Sequence, residues 1–70
     1  MKTRLRELRR ESGLTQLDLQ KKTGISQDAL SRFETGDRVP PIPILLKLAD
    51  LYGVSIDYIL FRTEERTLPH

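Results

Sequence analysis

Residues 15–34 read TQLDLQKKTGISQDALSRFE, and the reading of this stretch decides the fold. Thr15 can cap a helix, and Gln16–Lys22 is a run of helix-forming residues. Gly24 breaks the run. Ser26 can cap a second helix from Gln27 to about Glu34. Helix, short glycine-containing turn and second helix together make the outline of a helix-turn-helix. The second helix has a definite apolar side. At about 100° per residue with Ser26 at zero, Ala29 falls near ~300°, Leu30 near ~40° and Phe33 near ~340°. Gln27, Asp28, Ser31 and Arg32 fall on the opposite side, between ~100° and ~240°. One face can be buried while the other presents a short polar row. Gln can bond two atoms of an adenine edge and Arg two of a guanine edge. The plainer reading is an ordinary solvated face, since these residue types are common on any surface helix.

Composition narrows the possibilities. The 70 residues hold one domain, and a core of this size is marginal. There is no cysteine, so neither a disulfide nor a Cys-based zinc site braces it. The single histidine stands at the very end, so no metal site and no cofactor are expected. Twelve basic and ten acidic residues leave a net charge of only +2, so the placement of charge matters more than its sum. No apolar run approaches the ~20 residues needed to cross a bilayer, and no signal-peptide core is present. The chain therefore reads as cytoplasmic, with no membrane partner.

Taken in order, Lys2–Ser12 is the expected first helix, with Leu5 and Leu8 inward and Gly13 ending it. Arg4, Arg6, Arg9 and Arg10 give it a basic character, read as a solvated face with Glu7 and Glu11 as weak partners. In the second helix Leu19 is the core residue. Leu17 points about 160° away from it and is read as a surface leucine, the alternative being part of a contact surface. Residues 35–41 form a loop ended by prolines. A fourth helix begins at Pro41 or Ile42, with Pro43 tolerated in its first turn. Ile44, Leu45, Leu48, Ala49 and Tyr52 are its apolar side, and Gly53 ends it. Ser55 caps a fifth helix from Ile56 to about Phe61. Residues 1–61 are the expected domain and 62–70 a flexible tail. No strand pattern, internal repeat or linker is visible.

Several of these residues together resemble one known family. They are Leu14-Thr15-Gln16, Leu19, Gly24-Ile25-Ser26-Gln27, Leu30-Ser31-Arg32-Phe33-Glu34, Gly36, Pro40, Leu48-Ala49 and Gly53-Val54-Ser55-Ile56-Asp57. From about Arg4 to Leu60 the chain resembles the phage-repressor (Cro-like) helix-turn-helix family, also described as xenobiotic-response-element-type regulators. The resemblance implies an all-α fold, a compact five-helix lambda-repressor-like domain whose third helix enters the major groove of double-stranded DNA. It implies base contacts by Gln27, Asp28, Ser31 and Arg32. It implies phosphate contacts by Thr15, Gln16, Ser26 and Arg38, with the N-terminus of the second helix favouring the anion. It makes Arg9 and Glu34 an ion pair beneath the recognition helix. Gln20 departs from the family, which usually has a small residue there. A Gln at that place must find a gap or bend outward.

The function so implied is a sequence-specific transcriptional regulator, a repressor acting as a homodimer on a palindromic operator. Ile56, Tyr58 and Phe61 are the candidate dimer patch, the alternative being that they pack within the monomer or against the tail. A different class of function is a protein-interaction module such as an antitoxin, which would use Leu17 and the apolar residues near the C-terminus. An enzyme is not expected. The chain lacks a nucleophile–base pair, a phosphate-cradling glycine loop and a metal set, and no small-molecule ligand is evident.

Overall fold

The computed structural model describes residues 2–66. Those residues form five helices and no strand: α1 Leu5–Glu11, α2 Gln16–Thr23, α3 Gln27–Thr35, α4 Ile42–Tyr52 and α5 Ile56–Ile59. The chain is all-α. α2 packs on α3, α1 packs on α3, and α4 packs on α5. Twelve buried apolar residues form one core, with contributions from every helix. Leu8, Leu19, Leu30, Leu48 and Ile59 are its most completely buried members.

The helix ends follow from side-chain chemistry. At α2, Thr15 Oγ1 accepts from Asp18 N–H at 3.0 Å. Asp18 Oδ2 accepts from Thr15 N–H at 3.0 Å. This reciprocal capping box satisfies two of the donors that a helix start leaves without partners. At α3, Ser26 Oγ accepts from Ala29 N–H at 3.2 Å. α1 closes through Gly13, whose φ of +71° lets Leu14 N–H reach Arg9 O at 3.2 Å.

Two helices are shorter than the sequence suggests. α1 starts at Leu5, not Lys2, and the segment before it is tied to α5, with Arg4 N–H donating to Ile59 O at 2.8 Å. Thr3 Oγ1 is also engaged, accepting from Leu5 N–H and donating to Phe33 O. α5 stops at Ile59, two residues early. Phe61 takes a left-handed φ of +62°, and Arg62 N–H closes back on Asp57 O at 2.8 Å. A side chain larger than glycine in that conformation costs roughly 1–2 kcal/mol. The Arg4 guanidinium lies 4.2 Å from the Phe61 ring centroid, which offsets part of that cost.

Arg4 is therefore not on a solvated basic face. Its side chain is 10% exposed. Nε donates to Tyr58 O at 2.8 Å, and Nη2 pairs with Glu64 at 3.1 Å. The beginning of the expected tail is likewise tied to the body. Ser55 N–H donates to Arg66 O at 2.6 Å, and Arg66 Nη2 pairs with Glu11 at 2.9 Å. The remainder of that tail, 67–70, lies outside the described residues.

Beneath α3, Glu34 has a side chain only 2% exposed. Arg9 grips it with two bonds, Nε to Oε2 at 2.7 Å and Nη2 to Oε1 at 3.1 Å. The third Arg9 nitrogen, Nη1, donates to Leu14 O at 2.9 Å. Glu34 in turn holds the Arg9 guanidinium above its ordinary pKa.

Two outcomes follow from these contacts. Arg9→Ala leaves a buried carboxylate without its main partner and is expected to cost about 3–5 kcal/mol in urea unfolding. A cost below about 1 kcal/mol, the range of exposed pairs, would show that the pair is not a buried anchor. The Thr15 N–H bond, with the Thr15 hydroxyl, holds the Asp18 carboxyl below its usual value of 3.8. A depressed carboxylate stabilises the fold above its unfolded pKa and loses that effect as pH falls through the folded one. Asp18→Asn is therefore expected to lower the urea midpoint near neutral pH and to flatten its decline below pH 3.8. An unchanged acid limb would count against the capping box.

Candidate nucleic-acid interface

α3 owes its two faces to the periodicity of 27–35. Leu30, Phe33 and Glu34 are buried, and Ala29 is half-buried against the core. Gln27, Asp28 and Arg32 are exposed on the other side, and Ser31 is half-exposed. The four residues expected to contact bases thus share one outward row. Arg32 Nε pairs with Asp28 Oδ2 at 3.3 Å, one helical turn apart. Both partners are largely exposed, so the pair adds little stability. It makes the row close to neutral, and only the guanidinium Nη groups remain open to a guanine.

The rim residues differ among themselves. Thr15 and Ser26 are exposed, and each hydroxyl oxygen already accepts a backbone N–H. The Ser26 hydroxyl keeps its own proton for donation to a phosphate, whereas the Thr15 hydroxyl also acts on the Asp18 carboxyl. The Thr15 backbone N–H is taken by the Asp18 carboxylate. That carboxylate brings a negative charge to the first turn of α2, beside the expected phosphate contacts of Thr15 and Gln16. Gln16 is half-buried, and its Nε2 donates to Glu34 Oε1 at 3.2 Å. Arg6 Nε also approaches that oxygen, at 3.8 Å. Gln16 is thus tethered to the ion pair, with one amide proton left for a phosphate. Arg38 is exposed, its guanidinium 6.0 Å from the Phe33 ring centroid. Its backbone N–H bonds Arg32 O at 3.2 Å, which leaves only the side chain open to the expected phosphate contact.

Two further residues brace the row. Gln20 Oε1 accepts from the backbone N–H of Gln27 at 2.7 Å, across the α2–α3 turn. The side chain is half-buried and lies along the α2–α3 turn. It spends its oxygen on the first N–H of α3. An amide seven residues ahead of a helix start, across a tight turn, is the signal that could have shown this. Lys47 Nζ donates to Thr23 O at 2.9 Å and closes the end of α2.

The expected dimer patch needs correction. Tyr58 is only 8% exposed, with the Arg4 guanidinium 4.3 Å and the Arg66 guanidinium 5.4 Å from its ring centroid. Ile56 is half-buried against the core, and Phe61 alone of the three is open. Burial of Tyr58 by Arg4 and the chain after α5 removes it from any surface. Of the other exposed apolar residues, Ile42, Leu46 and Leu51 lie on α4, Ile42 being 62% exposed and Leu46 52%, and Val39 lies in the loop before it. Leu46 and Ile56 line a shallow groove with Asp50 and Asp57 at its edge. Leu17 is exposed.

A wider open cleft runs between α1 and the C-terminal end of α3, lined by Lys2, Arg6, Glu7, Arg10 and Glu34 among others. None of the polar row lines it, and it carries both signs of charge. Cavity size does not mark this interface, because a groove reader presents a convex helix. Among the described residues no cluster of His, Cys, Asp or Glu could hold a metal ion. No described helix is long and apolar enough to cross a membrane.

Comparison with known proteins agrees with this geometry. The helix-turn-helix family model matches residues 5–59. The HTH-type transcriptional regulator ImmR of Bacillus subtilis is 43% identical over 61 residues, 87% of this chain and 48% of that protein. The uncharacterized regulator YobD of the same organism is 42% identical over 62 residues, 89% of this chain and 55% of that protein. The chain thus spans about half the length of these curated relatives. An uncharacterized HTH-type regulator of Archaeoglobus fulgidus is 35% identical over 66 residues and is covered over 94% of its length. No solved structure matches the chain. With two capped helices across a glycine turn and the family match over all five helices, the chain belongs to the Cro/C1-type helix-turn-helix family of DNA-binding transcription regulators.

Proposed function

We propose that this chain is a sequence-specific transcriptional repressor of the cytoplasm that binds a palindromic operator as a homodimer. The observation that carries the reading is the division of α3 into an anchored face and an open polar row. Gln27 leads the row into the major groove, with Asp28, Ser31 and Arg32 behind it. Asp28 orients Arg32 and can itself accept from a cytosine amino group. Thr15, Gln16, Ser26 and the Arg38 side chain hold the flanking phosphates.

The dimer is a matter of magnitude. A good base contact discriminates by about 1–3 kcal/mol. One short helix offers few of them, too few to select a site among roughly 10⁶ or more competitors. Two copies reading half-sites about 34 Å apart double the contacts. The exposed α4 residues Ile42 and Leu46, with the edge of Ile56, are the face we assign to the partner copy. Those same residues, and Leu17, favour the second reading, a protein-interaction module such as an antitoxin. Salt separates the two, because DNA binding releases condensed counterions and weakens steeply as salt rises. Binding that is insensitive to salt supports the interaction module.

Replacing Gln27 or Arg32 by Ala is expected to relax preference at one operator base pair by about 1–3 kcal/mol. Loss spread equally over all sequences would make that residue a phosphate clamp. Arg38→Ala is expected to weaken every duplex alike and to make the salt slope shallower by about one unit. A loss confined to one base pair would contradict that role. Leu46→Glu is expected to shift the protein to monomer in sedimentation while leaving its helical content intact. An unchanged dimer would move the partner face elsewhere.

A further inference from the structure

The bond between Gln20 and Gln27 joins an α2 side chain to the first backbone donor of the helix that carries the polar row. At 2.7 Å it is shorter than the Ser26 cap at 3.2 Å. The two bonds act on different donors: Gln20 takes the N–H of Gln27, and Ser26 takes the N–H of Ala29. Together they fix both ends of the first three residues of α3. The turn beneath them is braced independently. Thr23 Oγ1 accepts from Ile25 N–H at 3.2 Å, and Lys47 holds Thr23 O. With the turn fixed, the remaining freedom at the start of α3 is a small swing of its first residue. The Gln20 oxygen removes that swing.

We propose that Gln20 is a positioning residue that sets how Gln27 meets its base. This rests on the reading that Gln27 contacts a base edge. Gln27 carries two functions on one residue. Its backbone N–H is held by Gln20, and its side chain heads the exposed row. A bidentate contact from Gln to an adenine edge needs both atoms placed together, within about 0.5 Å and 10–20° for a working constellation. Restraint at the backbone nitrogen is restraint at the root of that side chain.

The chemical type of the acceptor matters as well. α2 closes its own start with the Asp18 carboxylate, which brings negative charge to that helix end. Gln20 performs the corresponding task at α3 with a neutral amide oxygen. Asp28 already places a carboxylate in the first turn of α3, paired with Arg32, and the neutral Gln20 oxygen adds no second negative charge there. Among the described residues, Gln20 Nε2 has no hydrogen-bond partner, so the amide adds a donor at that end and no repulsion.

The test compares Gln20→Met, of similar length but without a strong acceptor, with Gln20→Glu, which keeps the acceptor and adds charge. Gln20→Ala is a second acceptor-free variant, and Gln27→Ala is the control. Each is measured on the preferred duplex and on single-base-pair variants of it, and the readout is the ratio between them, from which uniform effects cancel. Gln27 amide hydrogen exchange is followed on the free proteins. Gln20→Met and Gln20→Ala are expected to lose at least about fivefold discrimination at the Gln27 base pair only, the low end of what one such contact contributes. Their Gln27 amide is expected to exchange faster. Gln20→Glu is expected to bind all duplexes more weakly yet to keep the wild-type ratios and the slow amide. The proposal is overturned if the acceptor-free variants keep their discrimination or lose it equally at every base pair. It is equally overturned if they bind every duplex more tightly, since Gln20 would then be competing with a phosphate. If Gln27→Ala leaves all ratios unchanged, base reading by Gln27 fails and the positioning role falls with it. If Gln27→Ala is selective and Gln20→Met is not, only the positioning role fails.

Discussion

The buried carboxylate of Glu34 is the constraint on which the rest of this small protein depends. It sits on the inner face of α3 and is gripped by Arg9 from α1, with Gln16 of α2 on the same oxygen. Arg9 reaches on to Leu14 O, at the approach to α2. One ion pair therefore locates three helices relative to each other. Such a pair is a poor source of net stability, because desolvating both charges costs several kcal/mol per ion, roughly. What it supplies is direction. Apolar contacts between short helices tolerate sliding and rotation, whereas a two-pronged guanidinium–carboxylate contact has one good geometry. Tyr52 lies close enough to feel both charges. Burial, with the Glu34 charge adding to it and Arg9 opposing, pushes its hydroxyl pKa up to about 12. Tyr52 therefore stays neutral around physiological pH, and the charge balance of the site is set by Arg9 and Glu34.

Fixing α3 from below frees its outer face. The helix is held at its N-terminus by Gln20 and Ser26, and at its C-terminus by Gly36 and Arg38, whose N–H groups both return to Arg32 O. Among the described residues, the side chains of Gln27, Asp28, Ser31 and Arg32 make no hydrogen bond or ion pair with the body of the protein beyond the Asp28–Arg32 pair among themselves. That pair gives the row no net charge. In the proposed function, attraction to a duplex comes from the rim and from two copies acting together, while the row supplies discrimination. This division matches the general one in which phosphate contacts position and base contacts specify.

Sequence alone was most informative where structure is local. The face of α3 follows from a period of 3.6 acting on Ala29, Leu30 and Phe33, and no distant residue alters it. The caps at Thr15 and Ser26 and the left-handed glycines are equally local, so the helix boundaries of α2, α3 and α4 were legible to within a residue. The misread residues depend on contacts far along the chain. Arg4 looks like one more arginine on a basic helix until Tyr58, 54 residues away, accepts from it. That contact, with Arg66, also buries Tyr58, which removed it from the dimer patch. Phe61 adopts a glycine-like conformation that its residue type does not advertise. Gln20 shows the same limit at shorter range. Its polarity was plain, but the acceptor role depends on the angle at which two helices meet.

The central claim is that the outward row of α3 is the surface that meets DNA. The most direct measurement is a titration of isotope-labelled protein with a duplex carrying its selected site, followed residue by residue by NMR at moderate salt. The largest shifts are expected at Gln27, Asp28, Ser31 and Arg32, with Thr15, Gln16 and Arg38 around them, and little change in the core beneath. Shifts concentrated on the outer face of α4, with the α3 row unmoved, would contradict it.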